Sequence, residues 1–268
     1  MLSAFSLNSC TSLLSTYRDE VANEKSVNSM ENPKVITEDD IVNLPEPVQR
    51  YFRYCGFVGK ELLFNSTIEW DSVAFKMSPE KDWIPIKCLQ FNSVKEPARF
   101  AYLYAPKMGV NMFVGRDKYQ DGKGNMHIKI LGLFALQNEW GRAMDESSLV
   151  TILSESLFLP GYALQPYISW ESIDSLSAKA SITHNGITVS GTFYFKENGA
   201  LEKFISYDRN QVDADGVAKK VPWIASVDYY EPMNGFILPA YVRATWKNPE
   251  GDYEYFKGKI QGITFNSK

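Results

Sequence analysis

The sequence predicts an α+β fold: a strongly curved antiparallel β-sheet, a half-barrel, with one mid-chain helix packed on its concave side and further helices at the N-terminus. Three observations carry this. Residues 145–160 have helical periodicity, with Leu149, Val150, Ile152, Leu153 and Leu157 on one face and Ser148, Thr151, Ser154 and Glu155 on the other. Long runs on both sides of that segment alternate at period two and are rich in β-branched and aromatic residues. Short turn sequences separate those runs, which favours antiparallel neighbours over crossovers. A meander of so many strands twists and curls, so the helix is expected to fill its open side.

Residues 1–36 read as a leader or tether with little fixed structure, and residues 37–268 as a single β-rich domain, since no Gly/Ser- or Pro-rich linker divides them. Thr37-Glu38-Asp39-Asp40 marks a helix start, with Thr37 as cap and the acids at the positive end of the dipole. Pro47 suits the first turn of a second helix through Val48, Tyr51, Phe52 and Tyr54, closed by Gly56 as a left-handed cap. Strands are expected at 64–71, 84–93, 99–105, 111–116, 127–131 and 134–138. The central helix follows, with Asp145 or Ser147 as its cap and Pro160 just past its end. A short strand at 170–173 leads to the clearest hairpin, 178–183 with 187–195 around His184-Asn185-Gly186. Later strands are expected at 201–208, 223–230, 241–247, 253–260 and 263–265.

Composition excludes several classes. The formal charge of -4 comes from interspersed charges without a basic stripe, so no nucleic-acid partner is implied. No run of apolar residues is long enough to span a membrane as a helix. Cys10, Cys55 and Cys88 are too few and scattered for a disulfide scaffold or a zinc knuckle, and Cys55 and Cys88 read as buried thiols. Leu7-Asn8-Ser9-Cys10 has the shape of a bacterial lipoprotein processing site, with Cys10 as the lipidated residue, although the apolar stretch before it is short and uncharged. Either the true start lies upstream or the match is accidental. The pattern points to an extracytoplasmic protein held at a membrane surface through its N-terminus; the cytoplasm is the alternative.

Candidate chemistry is sparse. His127 lies on a strand without a second ligand nearby, and His184 sits at a solvated hairpin turn, so no metal or other cofactor is indicated. Asp213-Ala214-Asp215-Gly216 lacks the remaining ligands of a calcium loop, and Asp121-Gly122-Lys123-Gly124 is a turn, not a phosphate cradle. Ser78-Pro79-Glu80-Lys81 matches a Ser-x-x-Lys nucleophile motif only by letters. Glu155, Asp174 and Glu139 are the carboxylates that a hydrolase would have to gather in a wet cleft, with Glu155 otherwise solvated or paired to Arg142 or Arg50.

Several segments together resemble an uncharacterised bacterial family without a functional name. They are Leu44-Pro45-Glu46-Pro47-Val48-Gln49-Arg50-Tyr51 with Gly56 and Gly59-Lys60; Arg116-Asp117 and Tyr119 leading to Asp121-Gly122 and Gly124; Leu153, Glu155 and Pro160; and Trp170. The resemblance runs from about residue 37 to 265. The layout is also similar to the periplasmic lipoprotein carriers of the LolA kind, whose hollow half-barrel holds acyl chains under a helical lid. That similarity implies a non-enzymatic binding or carrier protein for an apolar, lipid-like ligand, with Leu149, Leu153 and Leu157 closing the cavity and Trp170, Phe193 and Phe195 in its walls. Fold alone does not fix function. The alternatives are the hydrolase around Glu155 and a structural module whose core is filled by its own side chains.

Overall fold

Alternation on the strands and the turns between them produce one large sheet. The structure, a computed structural model, describes residues 12–28, 34–107, 110–131, 134–212 and 216–267. Helices α1 (Leu13–Val27), α2 (Glu38–Ile41) and α3 (Glu46–Cys55) precede strands β1 (Asn65–Phe75), β2 (Ile84–Ser93), β3 (Ala98–Lys107), β4 (Val110–Gln120), β5 (Lys123–Ile130) and β6 (Phe134–Glu139). Helix α4 (Arg142–Glu155) and a 3-10 turn (Tyr162–Leu164) lead to β7 (Ile168–Asp174), β8 (Ser177–His184), β9 (Ile187–Phe195) and β10 (Leu201–Ser206). A small ribbon of β11 (Asn210–Val212) and β12 (Ala218–Lys220) is followed by β13 (Trp223–Met233), β14 (Phe236–Asn248) and β15 (Gly251–Phe265).

Thirteen strands form the main sheet in the order β6-β5-β4-β3-β2-β1-β15-β14-β13-β10-β9-β8-β7, strongly curved but not closed. Neighbours are antiparallel, as the short turns require. The expected fold class is therefore the observed one. The junction between β1 and β15 joins the halves of the chain on either side of α4.

Curvature is visible in what α4 touches: β4 and β5 near one end of the strand order, and β8 and β9 near the other. The sheet ends also meet directly. The Tyr119 hydroxyl lies 2.8 Å from Nδ1 of His184, and a Cβ added to Gly122, in the β4–β5 turn, would fall 2.5 Å from the Asn185 Cβ in the β8–β9 turn. His184 is thus not a solvated turn residue. Its ring is wedged between the sheet ends, with Nε2 3.3 Å from the Glu96 carboxylate.

Three further expectations are corrected. Residues 13–27, read as part of a tether, form α1, with Ser12 accepting from the Ser15 N–H as its cap. Leu13 and Tyr17 pack on Phe91, Phe100, Tyr102 and Val114, a second core on the convex face. Glu20 fastens the helix by ion pairs to Arg116 at 3.2 Å and Lys118 at 2.9 Å. Secondly, α4 starts three residues earlier than expected, with Gly141 at its cap. Asp145 does not cap, because its carboxylate accepts from the Gly124 N–H at 2.8 Å and from Lys123 at 3.1 Å, clamping the β4–β5 turn to the helix. Thirdly, the polar face of α4 is not solvated: Ser147, Ser148 and Ser154 are buried, since the curved sheet surrounds the helix. Cys10 and Asp213 to Asp215 lie outside the described residues.

Candidate binding site between α4 and the sheet

The polar face of α4 looks into a cavity. Thr151, Ser154 and Glu155 form one wall, and the concave faces of β1 to β5 and β13 to β15 form the others. Period-two alternation selects the lining: on β3, Arg99, Ala101 and Leu103 point inward, while Phe100 and Tyr102 belong to the outer core under α1. Most of the wall is apolar and aromatic, including Trp70, Phe75, Phe158, Trp223, Tyr255 and Phe256. This inner space measures about 140 Å³. It adjoins a cleft of about 480 Å³, and Phe75, Asp117, Met126, Thr151, Arg209 and Tyr255 border both. The inner space alone is smaller than ordinary ligand pockets, which run from about 300 to 1,000 Å³, and the cleft falls within that range. Trp140, 77% exposed, and the half-buried Glu139 stand at the cleft's edge.

A polar network crosses the inner wall. Glu155 Oε2 accepts from Gln90 at 2.8 Å, Asn92 at 2.9 Å and Arg99 Nε at 3.1 Å, and Oε1 accepts from the same Arg99 nitrogen at 3.1 Å. Arg99 Nη1 donates to Asp117 at 2.7 Å, and the Trp70 indole N–H donates to Gln90 at 3.1 Å. Strand register assembles these groups: Asn92 stands opposite Arg99, and Ala101, next on the same face of β3, stands opposite Asp117. Arg99 and Glu155 side chains are only 12% and 15% exposed. Burial works against the guanidinium charge, but the Glu155 and Asp117 carboxylates outweigh it and hold Arg99 more firmly protonated than a free arginine. The network ties the last turn of α4 to β2, β3 and β4, and Glu155 pairs here instead of with Arg142 or Arg50, which bond Glu146 and Glu46.

Arg209, in the connection between β10 and β11, borders both spaces. Its guanidinium stacks 4.5 Å from the Trp223 ring centre and 5.6 Å from that of Trp246. Nη1 donates to the Ser147 carbonyl at 2.7 Å and to the Thr151 hydroxyl. Arg243, the remaining arginine of the wall, is neutralised by Asp228 at 2.8 Å and Glu254 at 3.0 Å.

The expected ligand-contacting residues lie elsewhere. Leu149, Leu153, Leu157, Phe193 and Phe195 belong to the solid main core, and none of them lines the cavity. Phe195 packs 6.0 Å from the Tyr51 ring and Phe193 4.7 Å from Phe204, while the Tyr51 hydroxyl donates to the Leu157 carbonyl at 3.0 Å. Trp170 is half-buried beside a separate surface recess, its indole N–H bonded to the Ala163 carbonyl. The helix is wrapped on both sides, so its leucine face is consumed by packing and its polar face meets the hollow. The three carboxylates do not form a cluster either. Glu155 is in the inner wall, Glu139 is at the cleft edge beside Gln137, and Asp174 is exposed on the edge strand β7, capping the Leu176 N–H. Gln90, Asn92, Arg99 and Arg209 were not singled out by sequence reasoning, and Asp117 entered only as part of the family resemblance. The available signal was polar side chains at core-facing positions of strands that are otherwise apolar. Among the described residues no three His, Cys, Asp or Glu side chains are grouped to hold a metal ion.

A family model, "Family of unknown function (DUF6544)", matches residues 34–258, most of the chain. The protein belongs to this family. A search of curated proteins finds no match. Among solved structures, the DUF6544 chain is similar to a putative outer membrane lipoprotein-sorting protein domain from Vibrio parahaemolyticus, at 11% identity and a TM-score of 0.42, over 75% of this chain and 85% of that one. It is also similar to a LolA superfamily protein from Nitrosomonas europaea, at 9% identity and a TM-score of 0.41, over 83% and 93% of the two chains. A third, a DUF1329 family protein from Desulfovibrio piger ATCC 29098, shows 8% identity and a TM-score of 0.39 over 76% and 86%.

Proposed function

We propose that this protein binds and carries an apolar, lipid-like molecule without transforming it, in the space between α4 and the concave sheet. The observation that carries the reading is the aromatic-lined inner cavity with an open cleft beside it. An apolar chain placed there leaves water for a surface of indole, phenyl and aliphatic carbon, which is favourable in proportion to the area covered. Glu155 is ill-suited to proton transfer, because its carboxylate is held by Gln90, Asn92 and Arg99 as an acceptor. In this reading α4 is a fixed roof and the cleft between α4, β14 and the β11–β12 ribbon is the entrance.

Native mass spectrometry of the purified protein is expected to show a co-purifying lipid-like adduct. Ala244 borders the inner cavity, and Ala244→Phe should fill it and abolish the adduct while the circular dichroism spectrum is unchanged. An adduct retained in the folded Ala244→Phe variant would refute the site. A location outside the cytoplasm, with attachment through Cys10, is part of the same proposal and rests on the Leu7-to-Cys10 pattern. Fractionation of cells expressing the gene with its upstream sequence tests it: an unmodified Cys10 in the cytosol would overturn it.

A further inference from the structure

We infer that the ligand carries an anionic head group, carboxylate or phosphate, and that Arg209 receives it where the inner cavity meets the cleft. The inference rests on the binding reading above and adds a polarity to it.

Three cations border the inner cavity, and two are already matched. Arg99 bonds Glu155 and Asp117, and Arg243 bonds Asp228 and Glu254. Arg209 has no carboxylate within ion-pair distance among the described residues, and its buried Nε has no hydrogen-bond partner there. A guanidinium has five N–H donors in a fixed fork. Here Nη1 is used by the Ser147 carbonyl and the Thr151 hydroxyl, which anchors one side and leaves the Nε side without an acceptor. Stacking on Trp223 and Trp246 holds the plane of the fork but does not neutralise its charge. A half-buried cation without a matching carboxylate is costly, and an incoming anion that pairs with the guanidinium relieves that cost.

The placement also orients the molecule. Arg99 is shared between two carboxylates, so it has no charge left over to receive an acidic head in the inner wall. The head group therefore stops at Arg209. The two indoles that hold the guanidinium continue into the apolar lining, so a chain attached to the head runs over carbon in either space.

The test is titration of the purified, delipidated full-length protein with dodecanoate, dodecyl phosphate and dodecan-1-ol, read by the fluorescence of the tryptophans that flank Arg209. At least one of the two anions is expected to bind ten or more times more tightly than the alcohol, and which one does so separates a fatty acid from a phosphate head. In Arg209→Gln the ratio of anion to alcohol affinity should fall to about one. Should that variant fail to fold, Arg209→Met supplies the same test, because its unbranched chain covers the same indoles without charge. Equal affinity of anions and alcohol in the natural protein, or an anion preference that survives loss of the Arg209 charge, overturns the inference while leaving the carrier reading in place. Binding of none of the three refutes both.

Discussion

The hydroxyl of Tyr119 and the Nδ1 nitrogen of His184 are 2.8 Å apart, although their strands, β4 and β8, stand third and twelfth in the order of the sheet. This bond closes the rim of the half-barrel without closing its ladder. Beside it Gly122 meets Asn185, in turns that both use left-handed backbone, φ 77° and 47°. The curvature that creates the cavity is therefore held at two places: at the rim by Tyr119 and His184, and in the interior by α4.

Tyr119→Phe removes the hydroxyl and leaves His184 Nδ1 half-buried without that partner. The expected loss is about 1 kcal/mol, the net worth of one such bond. Urea unfolding should show a lower midpoint with an unchanged slope, and amide exchange should quicken first in the β8–β9 turn. Unchanged stability and exchange would mean that α4 alone sets the curvature.

The network around Arg99 makes an ordered prediction. Arg99→Met strips the shared cation from Glu155 and Asp117, leaving two buried carboxylates facing each other, and is expected to cost roughly 3–5 kcal/mol. Glu155→Gln keeps the Arg99 pair with Asp117 and retains an acceptor for Gln90, Asn92 or Arg99, so about 1–3 kcal/mol is expected. Thermal unfolding of both variants checks the order; a reversal would show that Asp117 does not need Arg99.

Cys55 and Cys88 provide a chemical readout of burial. Desolvation pushes each thiol up to about 12, in Cys88 despite the opposing pull of Arg99. Since the thiolate is the nucleophile, in a Cys10→Ser background neither should react with iodoacetamide at about pH 8 until the protein is denatured, and then both should. The linkage has a definite sign. The folded-state pKa lies above the unfolded value of 9.0, so this contribution to stability is complete below about pH 9 and is lost as pH rises towards 12. Rapid labelling of Cys88 in the native protein would mean that the inner cavity opens to solvent on the time scale of the reaction.

Much of the architecture follows from the sequence alone, because its determinants are local. Alternation and turn chemistry place β2 and β9 at residues 84–93 and 187–195, where they are found, and Thr37, Pro47 and Gly56 mark α2 and α3 at their observed ends. The extra length of β14, which starts at Phe236, was hidden because Pro239 within it reads as a strand breaker. Helix α1 was hidden for the opposite reason: its own residues look like a tether, and the clue lay far away in Phe100, Tyr102 and Tyr104, outward-facing aromatics on a strand whose other face is also buried. Helix α4 was visible as an amphipathic segment, but which of its faces meets a hollow was not. Periodicity shows that a helix has two faces, and an apolar face is normally the one that covers a cavity. In this protein the sheet wraps α4 so far that the leucines pack into solid core against distant strands, and Thr151, Ser154 and Glu155 are left to look inward. The Arg99 cluster and the Arg209 stack likewise join residues up to 65 positions apart in the chain. Only the register of β2, β3 and β4 and the closure of the curve bring those charges to one wall, because sheet pairing and burial are decided by the whole chain at once.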